Sequence, residues 1–241
     1  MDLREGIRDL LALIDQHVAS LESPPGQAPR EFAAAGLMRS CSLLRGICVL
    51  EDAGLGHVAS ILARQHWETW LVSLYVILRG QEALGEVAGD DIFWKRILSE
   101  KLNLGFAYHE NWEGKLAKLN FKKLYDDLQP LLESAGEPAS PEGVQGYDVT
   151  YRVQSLFAVH AGLATIGSYL RYGEKTWTVV RNPAASFPRV SQTPALHTAH
   201  LAKYVFKSFG LPIDQLELIW DKLIKMEGDS DSPVRERAES D

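Results

Sequence analysis

Arg64 and Glu68 stand four residues apart in a stretch otherwise rich in Ala, Leu, Ile, Val and Trp. On a helix that spacing puts them one turn apart on a common face with Leu71 and Tyr75. Arg preceding Glu by four is the less favourable order for a helical ion pair. Burying such a pair is also costly unless further groups complete its hydrogen bonding. Both side chains are therefore expected to find partners on neighbouring helices, either in a purely structural pairing or in a ligand site.

A second polar group, Tyr151, Arg152, Ser155 and His160, follows later in the chain. Tyr151 and Ser155 are at i and i+4, and Arg152 and Ser155 at i and i+3, so the three can meet one neighbour. His160 lies about 80° round the same helix from Arg152. Joint work by the two needs the helix to bend or end there, which Gly162 permits. Arg39 and Arg45 flank Ser40 and Ser42 on an earlier segment, and Arg45 is expected to face Arg64 across a short turn. Arginines converging with a histidine would suit a phosphate, because the planar guanidinium fork takes its oxygens two at a time. Arginines scattered over a solvent-facing surface, and a hydrogen-bonded core histidine, account for the same letters.

Other chemistry finds little footing. His197 and His200 are three apart on an expected helix, but no Glu-x-x-His or His-Glu-x-x-His run completes a metal site, and a surface pair is the expectation. His57, His66 and His109 lack metal-type spacing as well. The glycine-rich loops that cradle nucleotides and the Gly-x-Ser-x-Gly elbow of hydrolases are absent, so no cofactor is implied.

Charge narrows the partners. The formal net charge is −7, yet the last fifteen positions alone carry Glu227, Asp229, Asp231, Glu236, Glu239 and Asp241 against Arg235 and Arg237. The rest is almost neutral and exerts no general pull on duplex DNA or an anionic membrane; a nucleic-acid role would need a local basic cleft. Cys41 and Cys48 are seven residues apart on one expected helix, too far to pair, and read as reduced core residues. Met1-Asp-Leu-Arg leads directly into an amphipathic pattern, so no secretory leader is expected and the expected location is the cytoplasm. The longest apolar-leaning stretch noted, Thr69 to Leu78, is far shorter than the roughly 20 residues of a spanning helix, and no membrane crossing is expected.

The elements that must position these groups read as helices. Leu3, Ile7, Leu10, Ile14, Val18 and Leu21 predict a helix over 2–22, stopped by Ser23-Pro24-Pro25-Gly26. A second runs from Pro29 to about Ala53, closed by Gly54 and Gly56. A third, over 55–78, carries apolar residues on nearly every side and belongs at the centre of a bundle. Asp90 or Asp91 is expected to cap a helix reaching Asn111, and Phe121 to Ser134 forms another, with Pro130 as a kink or an early end. Residues 135–146 read as a loop, and a helix from Tyr147 to at least His160 follows. Residues 168–180 suit a small hairpin, or a short helix and one extended segment. Helices over 194–209 and 212–226 complete the set. The 46% hydrophobic chain is thus expected to be all-α, a single bundle of about seven or eight helices over 1–227 with an acidic disordered tail over 228–241.

The order Leu37-Met38-Arg39-Ser40, then Gly54 to Ala63, then Arg64-x-x-x-Glu68 with Tyr75, then Tyr151-Arg152-x-x-Ser155 closing on Val159-His160, resembles a widespread, mainly microbial helical family of unknown function. The likeness spans roughly residues 30–165 and implies a shared helical fold and polar site. A more distant similarity is to the higher eukaryotes and prokaryotes nucleotide-binding helical domains. Some of these are metal-independent RNases using an arginine and a histidine on one helix, and Arg152 and His160 match those positions. Their separation here exceeds that family's spacing, and the position after the arginine, polar in that family, is Val153.

Three functions fit the letters. In the first, Arg64, Glu68, Arg152, Ser155 and His160, with Tyr151, Arg45 and Arg39, form a polar site for a small anionic ligand or nucleotide. The second is an RNA-cleaving enzyme of a defence or toxin system, with His160 as general base and Arg152 or Arg64 stabilising the charged transition state. The last is a homodimeric interaction module that presents aromatic residues such as Trp177 or Trp220.

Overall fold

The computed structural model describes residues 2–21, 27–102, 118–137, 170–172, 177–179 and 190–228. These form seven α-helices, and the chain is an all-α bundle. The expected helix over 147–160 lies outside the described residues, with Tyr151, Arg152, Ser155 and His160, and so does the tail expected over 228–241 apart from its first residue.

Helix α1 covers Leu3–His17, with the Asp2 carboxylate accepting from Arg4 N at 3.5 Å. It buries Leu3, Ile7, Leu10 and Ile14 on one stripe. The expected continuation to residue 22 gives way to a tighter 3₁₀ turn over Val18–Ser20. With three residues per turn, that segment leaves the 3.6-residue stripe, which is why Val18 is exposed.

Helices α2 (Ala28–Asp52) and α3 (Gly56–Arg79) form the central hairpin. Pro29 sits in the first turn of α2, where its missing N–H costs nothing. Gly54, at φ 72°, allows the reversal into α3. Contacts along the pair fix the antiparallel register. Gly36 packs on Ser73, Arg39 bonds Thr69, and Gly46 meets Leu62, so residue numbers across the interface add to almost the same total each time. By length and composition α2 is long and apolar enough to cross a membrane, a property the sequence reading placed nowhere; it buries Ala33, Leu37, Cys41, Leu44 and Ile47 in the bundle. Cys41 and Cys48 are both free thiols. Burial, only partly offset by the Arg45 charge, pushes Cys41 up to about 12.

Helix α3 is the core helix its composition suggests, burying Trp67, Trp70, Leu71, Leu74, Tyr75 and Val76. Helix α4 (Gln81–Leu102) begins nine residues before the expected Asp90 cap. Gly80, at φ 76°, breaks the chain between the two helices in one residue. Asp90 is inside α4, where its Oδ1 accepts from Leu119 N at 2.7 Å and ties down the chain entering α5. Helix α5 (Phe121–Ser134) starts at Asn120, whose side chain accepts from Lys123 N at 3.1 Å, and it runs on past Pro130.

Leu170–Tyr172 and Trp177–Val179 pair antiparallel, Leu170 opposite Val179 and Tyr172 opposite Trp177, so the short hairpin is present. Helix α6 (Gln192–Phe209) ends at Gly210 in the left-handed conformation, and α7 (Asp214–Gly228) follows. Helices α2, α3 and α6 pack mutually at the centre, with α5 and α4 against α3, and α1 against α6 and α7.

Candidate functional site

The α2–α3 register decides which sequence candidates meet. Arg64 Nε lies 3.3 Å from Glu68 Oε1, and the two side chains are only 17% and 19% exposed. From α2, Arg39 donates its Nε–H to Thr69 Oγ1 at 3.2 Å, and the Thr69 hydroxyl donates in turn to Gln65 O at 2.8 Å. Arg39 is thereby held beside the residue that follows Glu68. Burial pushes the Glu68 carboxyl above its ordinary range, and the positive charges of Arg64 and Arg39 pull back only part of that shift. Two guanidiniums thus act on one carboxylate that is largely withdrawn from water.

Arg45 is elsewhere. Its Nη2 lies 2.7 Å from Asp15 Oδ2 on α1, with both side chains about half exposed. It does not face Arg64, because six residues past Arg39 is about a third of a turn out of phase on α2, and that face looks towards α1. Ser40 is fully buried, and the Ser42 hydroxyl donates back to Met38 O at 3.0 Å.

A second cluster between α3 and α6 escaped the sequence reading. His197 is buried and stacks on Trp70 with ring centres 4.2 Å apart; His66, on α3, lies near-parallel to His197 at 6.3 Å. His200 is largely covered as well, so the expected surface pair is corrected: α6 turns both histidines towards α3. Thr198 donates its hydroxyl to Pro194 O at 2.8 Å and so accepts from His66 Nε2, 2.8 Å away. That assigns the His66 proton to Nε2, and its Nδ1 is buried with no hydrogen-bond partner among the described residues, as is Nδ1 of His197. Burial drives His66 down to about 3, and burial together with neighbouring histidines drives His197 well below its ordinary value.

His200 joins this stack to the end of α5. Its Nε2 is 2.7 Å from Glu137 Oε2, while Nδ1 accepts from the Trp70 indole N–H at 3.4 Å, which places the proton shared with Glu137 on Nε2. Lys203 Nζ is 2.6 Å from the other oxygen of Glu137. Burial raises the Glu137 carboxyl, but the hydrogen bonds from His200 and Lys203, with positive charge beside them, prevail and hold it at about 2. Tyr204, next to Glu137, is pushed up by burial and by that negative charge. The carboxylate–imidazole geometry resembles that of a general base, yet the nitrogen that would take a proton faces an indole donor. The signal in the sequence was His197, His200 and Tyr204 at i, i+3 and i+7, the spacing of a buried helical stripe.

Among the described residues, no three His, Cys, Asp or Glu side chains converge as a metal site would require. An open cleft of about 400 Å³ is lined by Asp2, Leu3, Arg4, Glu51, Gly54, Gly56 and Ser191. Its arginine is already engaged. Arg4 Nη2 reaches Glu51 Oε2 at 3.0 Å, Asp52 Oδ1 at 2.8 Å and Cys48 O at 3.1 Å, which fastens α1 to the end of α2.

No family model matches this chain, nor does any curated protein sequence or solved structure.

Proposed function

We propose that the protein binds a small anionic ligand, of the phosphate or nucleotide class, at Arg64 and Glu68, with Arg39 at the rim. The observation that carries this reading is the convergence of two guanidinium charges on a partly dehydrated position: those of Arg64 and Arg39 both bear on the Glu68 carboxylate. A guanidinium withdrawn from bulk water attracts an anion more strongly than one in solvent, because less screening intervenes. Its fork also matches phosphate oxygens in shape. By contrast, Arg45 is neutralised on the surface by Asp15 and takes no part.

Titrating the full chain with inorganic phosphate and with adenosine monophosphate, followed by calorimetry, tests the proposal. Saturable binding that Arg64→Gln abolishes and Arg45→Gln leaves unchanged is the expected result. Equal binding by wild type and Arg64→Gln would remove the site.

A further inference from the structure

We propose that the open cleft between the starts of α1, α3 and α6 takes a small, uncharged polyhydroxyl ligand of the sugar class. The cleft includes Gly56 at the start of α3, and Arg64 lies about 12 Å further along that helix axis, so this site is separate from the anion position and does not rest on it. Its volume of about 400 Å³ falls at the lower end of the roughly 300–1,000 Å³ usual for small-molecule sites. Unmet hydrogen bonds in its wall point to a ligand. Ser191 lines the cleft and is only 1% exposed. It stands at the N-cap of α6, yet its hydroxyl makes no capping bond and is buried with no hydrogen-bond partner among the described residues. Arg4 shows the same at one nitrogen: Nη2 makes the bonds to Cys48, Glu51 and Asp52, while Nη1 is buried and has no partner among the described residues. A donor hidden from water and left unbonded costs the fold its full hydration. An acceptor oxygen brought to this wall recovers that loss.

Charge selects against an ion. Asp2 and Glu51 against Arg4 leave the wall one formal negative charge, and the starts of three helices return about half a positive charge each. Asp52, which also binds Arg4, is mostly in solvent and outside the wall. The cleft is therefore close to neutral: an anion meets Asp2 and Glu51, and a cation meets Arg4 and the helix starts. Acceptors stand beside the donors. Glu51 takes the Ser191 N–H on Oε1 and Arg4 on Oε2, both at 3.0 Å, and Asp2 Oδ1 takes Arg4 N at 3.5 Å. Each carboxylate oxygen accepts more than one hydrogen bond, so both residues keep capacity for a ligand. A hydroxyl is donor and acceptor at once and carries no charge. Adjacent hydroxyls of a polyol thus answer Ser191 and Arg4 with lone pairs, and Asp2 and Glu51 with protons.

Saturation-transfer NMR on the full chain tests this, with D-glucose, myo-inositol and glycerol as probes. The expected result is saturable transfer to at least one of the three, weakened about tenfold by Ser191→Ala and by Asp2→Asn and unchanged by Arg45→Gln. Ser191→Ala removes a hydroxyl that has no partner among the described residues, so its urea midpoint should equal or exceed that of wild type, which separates binding from folding. Asp2→Asn keeps a side-chain oxygen to cap α1 and loses the charge. Transfer to none of the probes, or transfer that both variants leave at wild-type strength, overturns the site. Displacement of the bound polyol by acetate also overturns it, since the cleft would then prefer an anion. Should Ser191→Ala fail to fold, Asp2→Asn decides alone: weakened transfer supports the site and unchanged transfer overturns it.

Discussion

Nε2 of His200 lies 2.7 Å from Oε2 of Glu137, while Nδ1 of the same imidazole meets the Trp70 indole N–H. One ring thus links three parts of the chain: α3, α6 and the residues just past α5. The proton that makes this possible is fixed by the two neighbours, since a carboxylate demands a donor and an indole N–H demands an acceptor.

This clasp has a defined acid limit. Glu137 is held at about 2 against an ordinary 4.5, so its contribution to stability is complete above pH 4.5 and is lost as pH falls towards 2. Glu137→Gln should cost about 2 kcal/mol at neutral pH, the size of a charge-assisted pair that is mostly covered. Urea unfolding at a series of pH values should show wild type and variant converging in acid. A gap that stays constant down to the lowest pH would remove Glu137 as its source.

The buried histidines act in a higher window. His66 is depressed from 6.5 to about 3, so unfolding takes up a proton everywhere between those values, and stability falls as pH drops through 6.5 towards 3. One such proton gives a slope of about 1.4 kcal/mol per pH unit. His197 is lowered in the same direction and steepens the slope. A His66→Leu variant should lose one proton from that slope, whatever its absolute stability. An unchanged slope in the urea series would mean that His66 is not the group taking up the proton.

Gly36 sets how closely α2 and α3 approach. A Cβ there would stand 1.9 Å from Ser73 Oγ and 2.8 Å from Ser73 Cβ, a clash no rotation of the hydroxyl fully relieves. Gly36→Ala gains about 1 kcal/mol of helix propensity and loses about 1–3 kcal/mol to overpacking, and the contact at the Cβ places the balance on the losing side. Ser73→Gly in the same chain should recover most of that loss, as a double-mutant cycle in chemical denaturation would show. Additive effects would mean that the two positions do not touch.

What the sequence revealed depended on whether a signal was local. The apolar residues of α3 repeat on all sides within a single segment, so its central place could be read without any partner. Arg64 and Glu68 drew notice for the same reason, as charges on a helix with little room for them. The start of α4 could not be read, because Asp90-Asp91 has the composition of a cap, while Asp90 serves Leu119, twenty-nine residues on. The partner of Arg45, Asp15, sits on α1, and no feature near Arg45 names it. The histidine stack was hidden most completely. His197 is polar in isolation and becomes a core residue only because Trp70 offers an aromatic face from α3.

Glu68 itself supplies a test that needs no ligand. Burial raises its carboxyl above the ordinary value, with Arg64 and Arg39 opposing, so the fold penalises the ionised form overall. The sign is therefore opposite to that of Glu137: the cost is present at neutral pH and disappears as pH falls through the raised value towards the ordinary one. Glu68→Gln should then unfold at an equal or higher urea midpoint than wild type at pH 7, by at most about 1 kcal/mol, with the difference fading in acid. If the ion pair with Arg64 were a net support of the bundle, the same substitution would instead lower the midpoint at pH 7. A lower midpoint would make Glu68 a structural partner of Arg64.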